Sequence, residues 1–464
     1  MLYTMTLNKQ VKLVIAGFVF MLSTLFTLAI YLRYELVYGI DGPYYIIQYY
    51  SILHSGTIKY PDPPLAFYIL YPFQRLTDLL YSDPGLGLKI CVSLFTGLTS
   101  VIIFATLLEV YKKINLLYIV LLSLFFSLWP QTLRIETDFV KNSIGLLFLA
   151  MYIYSLVTRN FNTKIRTIIL LISITLSCLT HILVFGTIVL ITLIYISCFI
   201  ITRKDVTILV KERLLLISLM TVITLFIVIL LYPPIVGGDS IKVIYFMKSL
   251  LSSISRASSE FQLNTPRLKK PAPFYAGLDP IAYLMFIYFN TIMALIVFIK
   301  QRNYMFLSLT MCLAFMNIPI IPSNWLMRLM LMSGFLLPYV LSWTHILRVK
   351  HRYVALLLFY TTLLVGLTTT IPRIGPSIPP GAYEELKQLD NVITKGSNVF
   401  VPDIRIRYWF EALHYGEYNI ITINDVKSGI KPDYIILDRI RAPRPPPRAV
   451  IVYKGFFITV YKIL

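Results

Sequence analysis

Apolar stretches alternate with short polar joints along most of this chain. Runs can be drawn near 11–32, 88–108, 114–130, 142–158, 167–181, 183–201, 214–232, 279–299, 304–320, 327–343 and 354–371. Several fall short of the ~20 residues a helix needs to cross the hydrocarbon core. The joints predict how the helices alternate. Lys112 and Lys113, then Arg159, Lys164 and Arg166, then Arg203, Lys204, Lys211 and Arg213 fall in every second joint. Lys300 with Arg302, and Arg348 with Lys350 and Arg352, continue the series. Short basic joints stay on the cytoplasmic side, so the N-terminus is predicted inside. Eleven crossings then leave the C-terminal segment outside. The first run, behind Lys9 and Lys12, is long for a signal peptide and lacks a small-residue cleavage site, so it reads as a retained span.

The predicted outer joints are 33–87, 131–141, a tight turn at Thr180-His181, 233–278 and 319–327. Two of them are far longer than connection requires, and long loops usually carry function. The 233–278 loop holds Pro233-Pro234, Gly237-Gly238, an amphipathic run from Ile241 to Ile254 and a basic stretch from Pro266 to Pro273. A lid and a plain surface loop are both open readings. After Ile371, a linker containing Pro372, Pro376, Pro379 and Pro380 leads into ~90 residues of soluble character, a plausible domain length. Glu384 to Val392 predicts a short helix; 398–402, 418–422, 434–438, 449–453 and 457–463 predict strands. The expected fold is therefore a polytopic α-helical membrane protein of about eleven spans: a transmembrane domain over 1–371 and an extracytoplasmic α/β domain over 372–464. No Gly-rich phosphate loop follows its strands, and the second domain reads as accessory.

Composition agrees. Of 464 residues, 57% are hydrophobic and 14% charged, more apolar surface than a soluble chain employs. The net charge of +20 sits mainly in short joints, so it encodes topology and does not indicate a nucleic-acid partner. Cys91, Cys178, Cys198 and Cys312 all fall in apolar runs; they read as packing residues and say nothing of redox compartment.

Chemistry concentrates in the outer joints. Ile40-Asp41-Gly42-Pro43-Tyr44-Tyr45 follows the first span directly, and an ionisable group at that depth is a functional candidate. Capping a helix is the plainer role for Asp41. Tyr44, Tyr45, Tyr49 and Tyr50 repeat near helical spacing, as in a helix lying in the headgroup layer. Tyr60-Pro61-Asp62-Pro63-Pro64-Leu65 then forms a stiff turn in which Asp62 reads as a turn residue. In the next joint Arg134, Glu136, Asp138 and Lys141 crowd together. Carboxylates beside cations suit transfer of a group from a phosphate-bearing lipid to a hydroxyl: a base takes the acceptor proton, and cations hold the departing phosphate. The plainer readings are that Asp138 caps the next span, that Glu136 is solvated, and that Arg134 and Lys141 snorkel. Arg328 and His181 stand at the outer ends of spans, as phosphate contacts or as ordinary boundary residues.

These residues carry a resemblance. Asp41 after span one, the Tyr-rich stretch, Ser51-Ile52-Leu53-His54-Ser55-Gly56 and Pro61-Asp62-Pro63-Pro64-Leu65 resemble the first outer loop of GT-C glycosyltransferases, multi-span enzymes that use polyprenyl-phosphate sugars. The resemblance implies Asp41 as catalytic base or acceptor orienter, and Glu136 and Asp138 as the family's second acidic motif, binding acceptor or a divalent ion (Mg or Mn). It implies Arg328 as a contact to donor phosphate, and the cations Arg134 and Lys141 are read beside it as further phosphate contacts. Partners would be a dolichyl-type polyprenyl-phosphate sugar, a glycan, lipid or protein acceptor, and membrane lipids; a metal is not required. The aminoarabinose branch of the family has a Lys before its Pro-Pro-Leu turn where this chain has Asp62, leaving Lys59 as a substitute. The oligosaccharyltransferase Trp-Trp-Asp motif is missing, which argues against transfer of a whole oligosaccharide to asparagine. The rival classes are a secondary transporter and a non-catalytic assembly subunit. Charge-poor span interiors and the absence of a visible repeat weigh against the transporter.

Overall fold

The computed structural model describes residues 8–111, 115–203, 213–232, 280–318, 321, 323–439 and 449–464, with pieces of 237–252. Lys112, Lys113, Lys204, Lys211 and most of the 233–278 loop, including Pro233-Pro234 and Pro266 to Pro273, lie outside these residues. Contacts divide the chain into two compact units. One comprises 1–30, 61–69 and 90–373; the other comprises 31–60, 70–89 and 374–464.

Among the described residues, nine helices are long and apolar enough to cross a membrane. They are Lys9–Tyr31, Pro84–Val110, Val140–Val157, Thr163–Thr180, Ile182–Ile201, Arg213–Leu231, Tyr283–Gln301, Trp325–Ile346 and Val349–Arg373. The shorter Tyr304–Met316 and a bent pair, Leu116–Leu128 with Pro130–Asp138, account for the other two predicted runs. This is an integral membrane protein.

The bent pair departs from expectation. Residues 131–141, read as an outer loop, are mostly helical: one helix ends at Leu128, another runs from Pro130 to Asp138, and the two meet at 43°. Pro130 explains the break. Proline lacks the N–H that would continue the first helix, and it forces the preceding residue out of helical geometry. Trp129 accordingly sits at φ −71, ψ 131, and the chain restarts with Pro130 in the first turn, where its missing donor is harmless. Gln131, Thr132, Glu136 and Thr137 are buried as a result.

Within this first unit, polar side chains satisfy one another in the apolar interior. Tyr152 Oη meets Thr192 Oγ1 at 2.7 Å and Ser218 Oγ at 3.0 Å, and Trp343 Nε1 donates to Asn290 Oδ1 at 3.1 Å. Such bonds join helices where lipid offers no partner. Arg166 donates to the Ser155 and Leu156 carbonyls, both at 3.0 Å, closing the end of Val140–Val157.

The second unit contains a five-stranded sheet ordered β2-β1-β3-β5-β4, with β1 Asn398–Phe400, β2 Asn419–Ile421, β3 Tyr434–Asp438, β4 Ala449–Lys454 and β5 Ile458–Ile463. β1 pairs in parallel with β2 and β3, whereas β5 pairs antiparallel with β3 and β4. All five strands fall where the short apolar runs predict them. Helix Ile404–Leu413, not predicted, packs Ile406, Trp409 and Phe410 into the core with Val399, Ile436 and Val460. Val37 joins this core from the segment after the first helix. The Tyr-rich helix, Asp41–Ser55, buries Tyr44, Tyr45 and Tyr49 within the protein. These three rings are core residues of the second unit.

Candidate functional site

In the first unit the turn residue and a predicted phosphate contact meet. Lys141, in the first turn of Val140–Val157, places Nζ 2.7 Å from Asp62 Oδ2, with both side chains largely buried. The ammonium also lies 5.7 Å from the Phe67 ring centroid. Gly238 N donates to the Pro61 carbonyl at 2.9 Å, so the start of the 233–278 loop touches the Asp62 turn. Gly237 (φ +51) makes this approach because a Cβ there would stand 2.5 Å from Pro61 C.

The second acidic motif is divided by its helical form. Residues two apart on a helix face different directions. Asp138 turns back to pair with Arg134 at 2.5 Å. Glu136 is buried and accepts a hydrogen bond from Thr96 Oγ1. Thr96 and Arg134 thus each engage one oxygen of a different carboxylate of the motif.

Arg328 and His181 converge. A small cleft is lined by Ile135, Phe139 and Asn142 together with His181 and Arg328, bringing the segment that carries the acidic motif to both. The Arg328 guanidinium lies over Phe139 at 5.9 Å and Trp325 at 5.8 Å, and among the described residues no carboxylate pairs with it. His181 Nδ1 accepts from Leu183 N at 3.0 Å, which puts the ring proton on Nε2. The same two residues, with Lys242, are the charged or titratable members of a cavity of about 320 Å³ that is otherwise almost wholly apolar. Its wall includes Ile182 through Leu193, ~16 Å of helix at 1.5 Å per residue.

In the second unit, Asp41 lies in the first turn of its helix. The N-cap position is Ile40, which makes no side-chain cap bond, and Asp41 follows it as the acidic residue of the first turn. Its carboxylate acts on Tyr408: burial pushes that phenol up, and Asp41 adds to the rise while Arg407 opposes it. Tyr44 stacks on Tyr60 at 5.6 Å and reaches Tyr408 at 5.7 Å; Tyr45 packs edge-on against Tyr44. Lys59 is engaged by Glu411, Nζ to Oε1 at 2.7 Å, and Tyr60 Oη donates to Glu411 Oε2, also at 2.7 Å. Burial first, then the Glu411 charge, holds the Tyr60 phenol well above its ordinary range. Glu411 and Tyr408 were not singled out from sequence; their helix was not predicted, so nothing linked them to Tyr60 in the first predicted outer loop.

No family model matches the sequence, and neither does any curated protein. Solved structures do. The Archaeoglobus fulgidus oligosaccharyltransferase in its apo form aligns with a TM-score of 0.56, covering 91% of this chain and 69% of that one at 11% sequence identity. Its complex with Zn and sulfate aligns at 0.54, covering 90% and 68% at 12% identity. ArnT from Cupriavidus metallidurans in the apo state covers 95% of this chain and 97% of its own at 11% identity, with a TM-score of 0.45. At these identities the likeness is one of fold: the chain shares the fold of the Archaeoglobus fulgidus oligosaccharyltransferase.

Proposed function

We propose that this protein moves a sugar from a polyprenyl-phosphate carrier to a hydroxyl acceptor on the outer membrane face, with the N-terminus cytoplasmic and the C-terminal domain extracytoplasmic. The observation that carries the reading is the largely apolar cavity whose charged or titratable members are His181, Lys242 and Arg328. An isoprenoid tail fits such a lining, and a phosphate fits that end. Arg328 suits the phosphate best, because Lys141 and Arg134 already face Asp62 and Asp138. The shared fold with an oligosaccharyltransferase supports the same class of reaction.

In this mechanism the acceptor oxygen attacks the anomeric carbon while the carbon–oxygen bond to phosphate breaks. The acceptor proton passes to the Asp41 carboxylate, and the polyprenyl phosphate leaves with its added charge held by Arg328. Attack opposite the leaving group inverts the anomeric centre. Asp138 and Glu136, fixed by Arg134 and Thr96, orient the acceptor.

The test is transfer of radiolabelled sugar from a panel of polyprenyl-phosphate sugars, using purified wild type and Asp41→Asn in detergent. Label should move with wild type and not with the variant, while thermal unfolding of the two stays alike. Full transfer by Asp41→Asn would remove Asp41 from the chemistry. Folded wild type inactive toward every donor would return weight to a transporter or assembly subunit.

A further inference from the structure

Three side chains of the second unit gather around one point. His414 stands at the end of helix Ile404–Leu413, its ring buried, with Nε2 2.9 Å from the Leu386 carbonyl oxygen. A carbonyl only accepts, so Nε2 carries a proton. The other nitrogen, Nδ1, faces Asp390 Oδ1 at 2.7 Å and Glu417 Oε2 at 3.6 Å. An imidazole lone pair opposed by two carboxylate oxygens is unfavourable unless a cation lies among them. Glu417 is already divided between two tasks. Its Oε1 takes Lys395 at 2.9 Å, whereas Oε2 is a buried atom with no hydrogen-bond partner among the described residues. Asp390 Oδ1 also receives the Tyr418 hydroxyl at 3.3 Å, which is shared with the Ile393 carbonyl at 3.3 Å.

We propose that Asp390, His414 and Glu417 bind a divalent transition-metal ion, Zn²⁺ by the donor set. One imidazole nitrogen and two carboxylate oxygens suit Zn²⁺ at roughly 2.0–2.2 Å, with solvent in the fourth position. The Nε2–H bond to the Leu386 carbonyl is the outer support that fixes the tautomer of a metal-ligating histidine. All three donor atoms already lie within 4.8 Å of one another. The 2.7 Å separation of Nδ1 and Oδ1 is shorter than tetrahedral ligation sets, and Asp390, with 44% of its side chain exposed, is free to swing out by the ~1 Å required. The ion joins the turn Gln388–Asn391 to the turn between Leu413 and β2, where Gly416 adopts φ +80 and Gly396 N bonds the Glu417 carbonyl at 2.8 Å. Its role is to staple that end of the sheet domain, independently of sugar transfer.

The experiment uses the full-length protein in detergent, stripped with EDTA and titrated with Co²⁺ and then Zn²⁺. Wild type should take up one equivalent of Co²⁺ with a visible d–d absorption band, lose the band to Zn²⁺, and unfold at higher temperature with Zn²⁺ present. Glu417→Gln and Asp390→Asn alter partly exposed side chains, so both should fold; each should weaken the affinity tenfold or more. His414→Ala should abolish the band. A wild type without a Co²⁺ band, or one whose affinity survives both carboxylate variants, would overturn the site and leave a proton as the cation on Nδ1.

Discussion

The Asp62–Lys141 pair allows the sharpest separation of stability from function. At 2.7 Å and an effective dielectric constant of 20, the attraction is about 6 kcal/mol. Desolvating two charges costs several kcal/mol each, so the pair as a whole contributes little net stability. Deleting one partner is different, because the other charge stays largely buried without the ion pair that offset its desolvation. Lys141→Met and Asp62→Asn should each cost about 3 kcal/mol, and the double variant should recover to within about 1 kcal/mol of wild type. Thermal and denaturant unfolding of the four proteins in one detergent measures the cycle; sugar transfer is assayed on the same samples. If Lys141 holds donor phosphate, the double variant is stable yet inactive. Additive stability losses would refute the coupling argued from the geometry, and a stable, active double variant would remove Lys141 from the phosphate site.

Three further outcomes follow from the same reasoning. Arg328→Ala should lower kcat/KM for the donor tenfold or more (about 1.4 kcal/mol) without a matching loss of stability, and Arg328→Lys should recover only part; equal activity of wild type and Arg328→Ala would exclude a phosphate role. Gly237→Val introduces a Cβ 2.5 Å from Pro61 C in a left-handed backbone and should cost about 1–3 kcal/mol in thermal unfolding, whereas Gly186→Ala, where a Cβ meets nothing within 4 Å, should be nearly silent. Burial pushes Asp403 up, but the hydrogen bonds and charge of Arg405 more than offset it, so its carboxyl lies below the usual range. A depressed folded-state pKa contributes stability above the unfolded value of about 3.9, lost as pH falls through the folded value; wild type should therefore exceed Asp403→Asn near neutral pH and converge with it in acid.

The sequence by itself determined the membrane class, the eleven apolar runs and the five short strands. These rest on local properties, namely the length of apolar runs, long against bilayer thickness for the spans and short for the strands, which need no knowledge of distant partners. It also pointed to Asp41, Arg328 and the Glu136-x-Asp138 segment, because charge beside an apolar run stands out. Tertiary structure alone decided what each charge faces. Pro130 breaks a helix in any context, yet only the fold turns the following residues into a buried helix that sends Glu136 to Thr96 and Asp138 to Arg134. Lys141 meets Asp62 across 79 positions of chain, and Tyr60 meets Glu411 across 351. Pairings at such separation leave no periodic trace in one sequence. They arise when packing removes water from a charge and the nearest opposite charge replaces it.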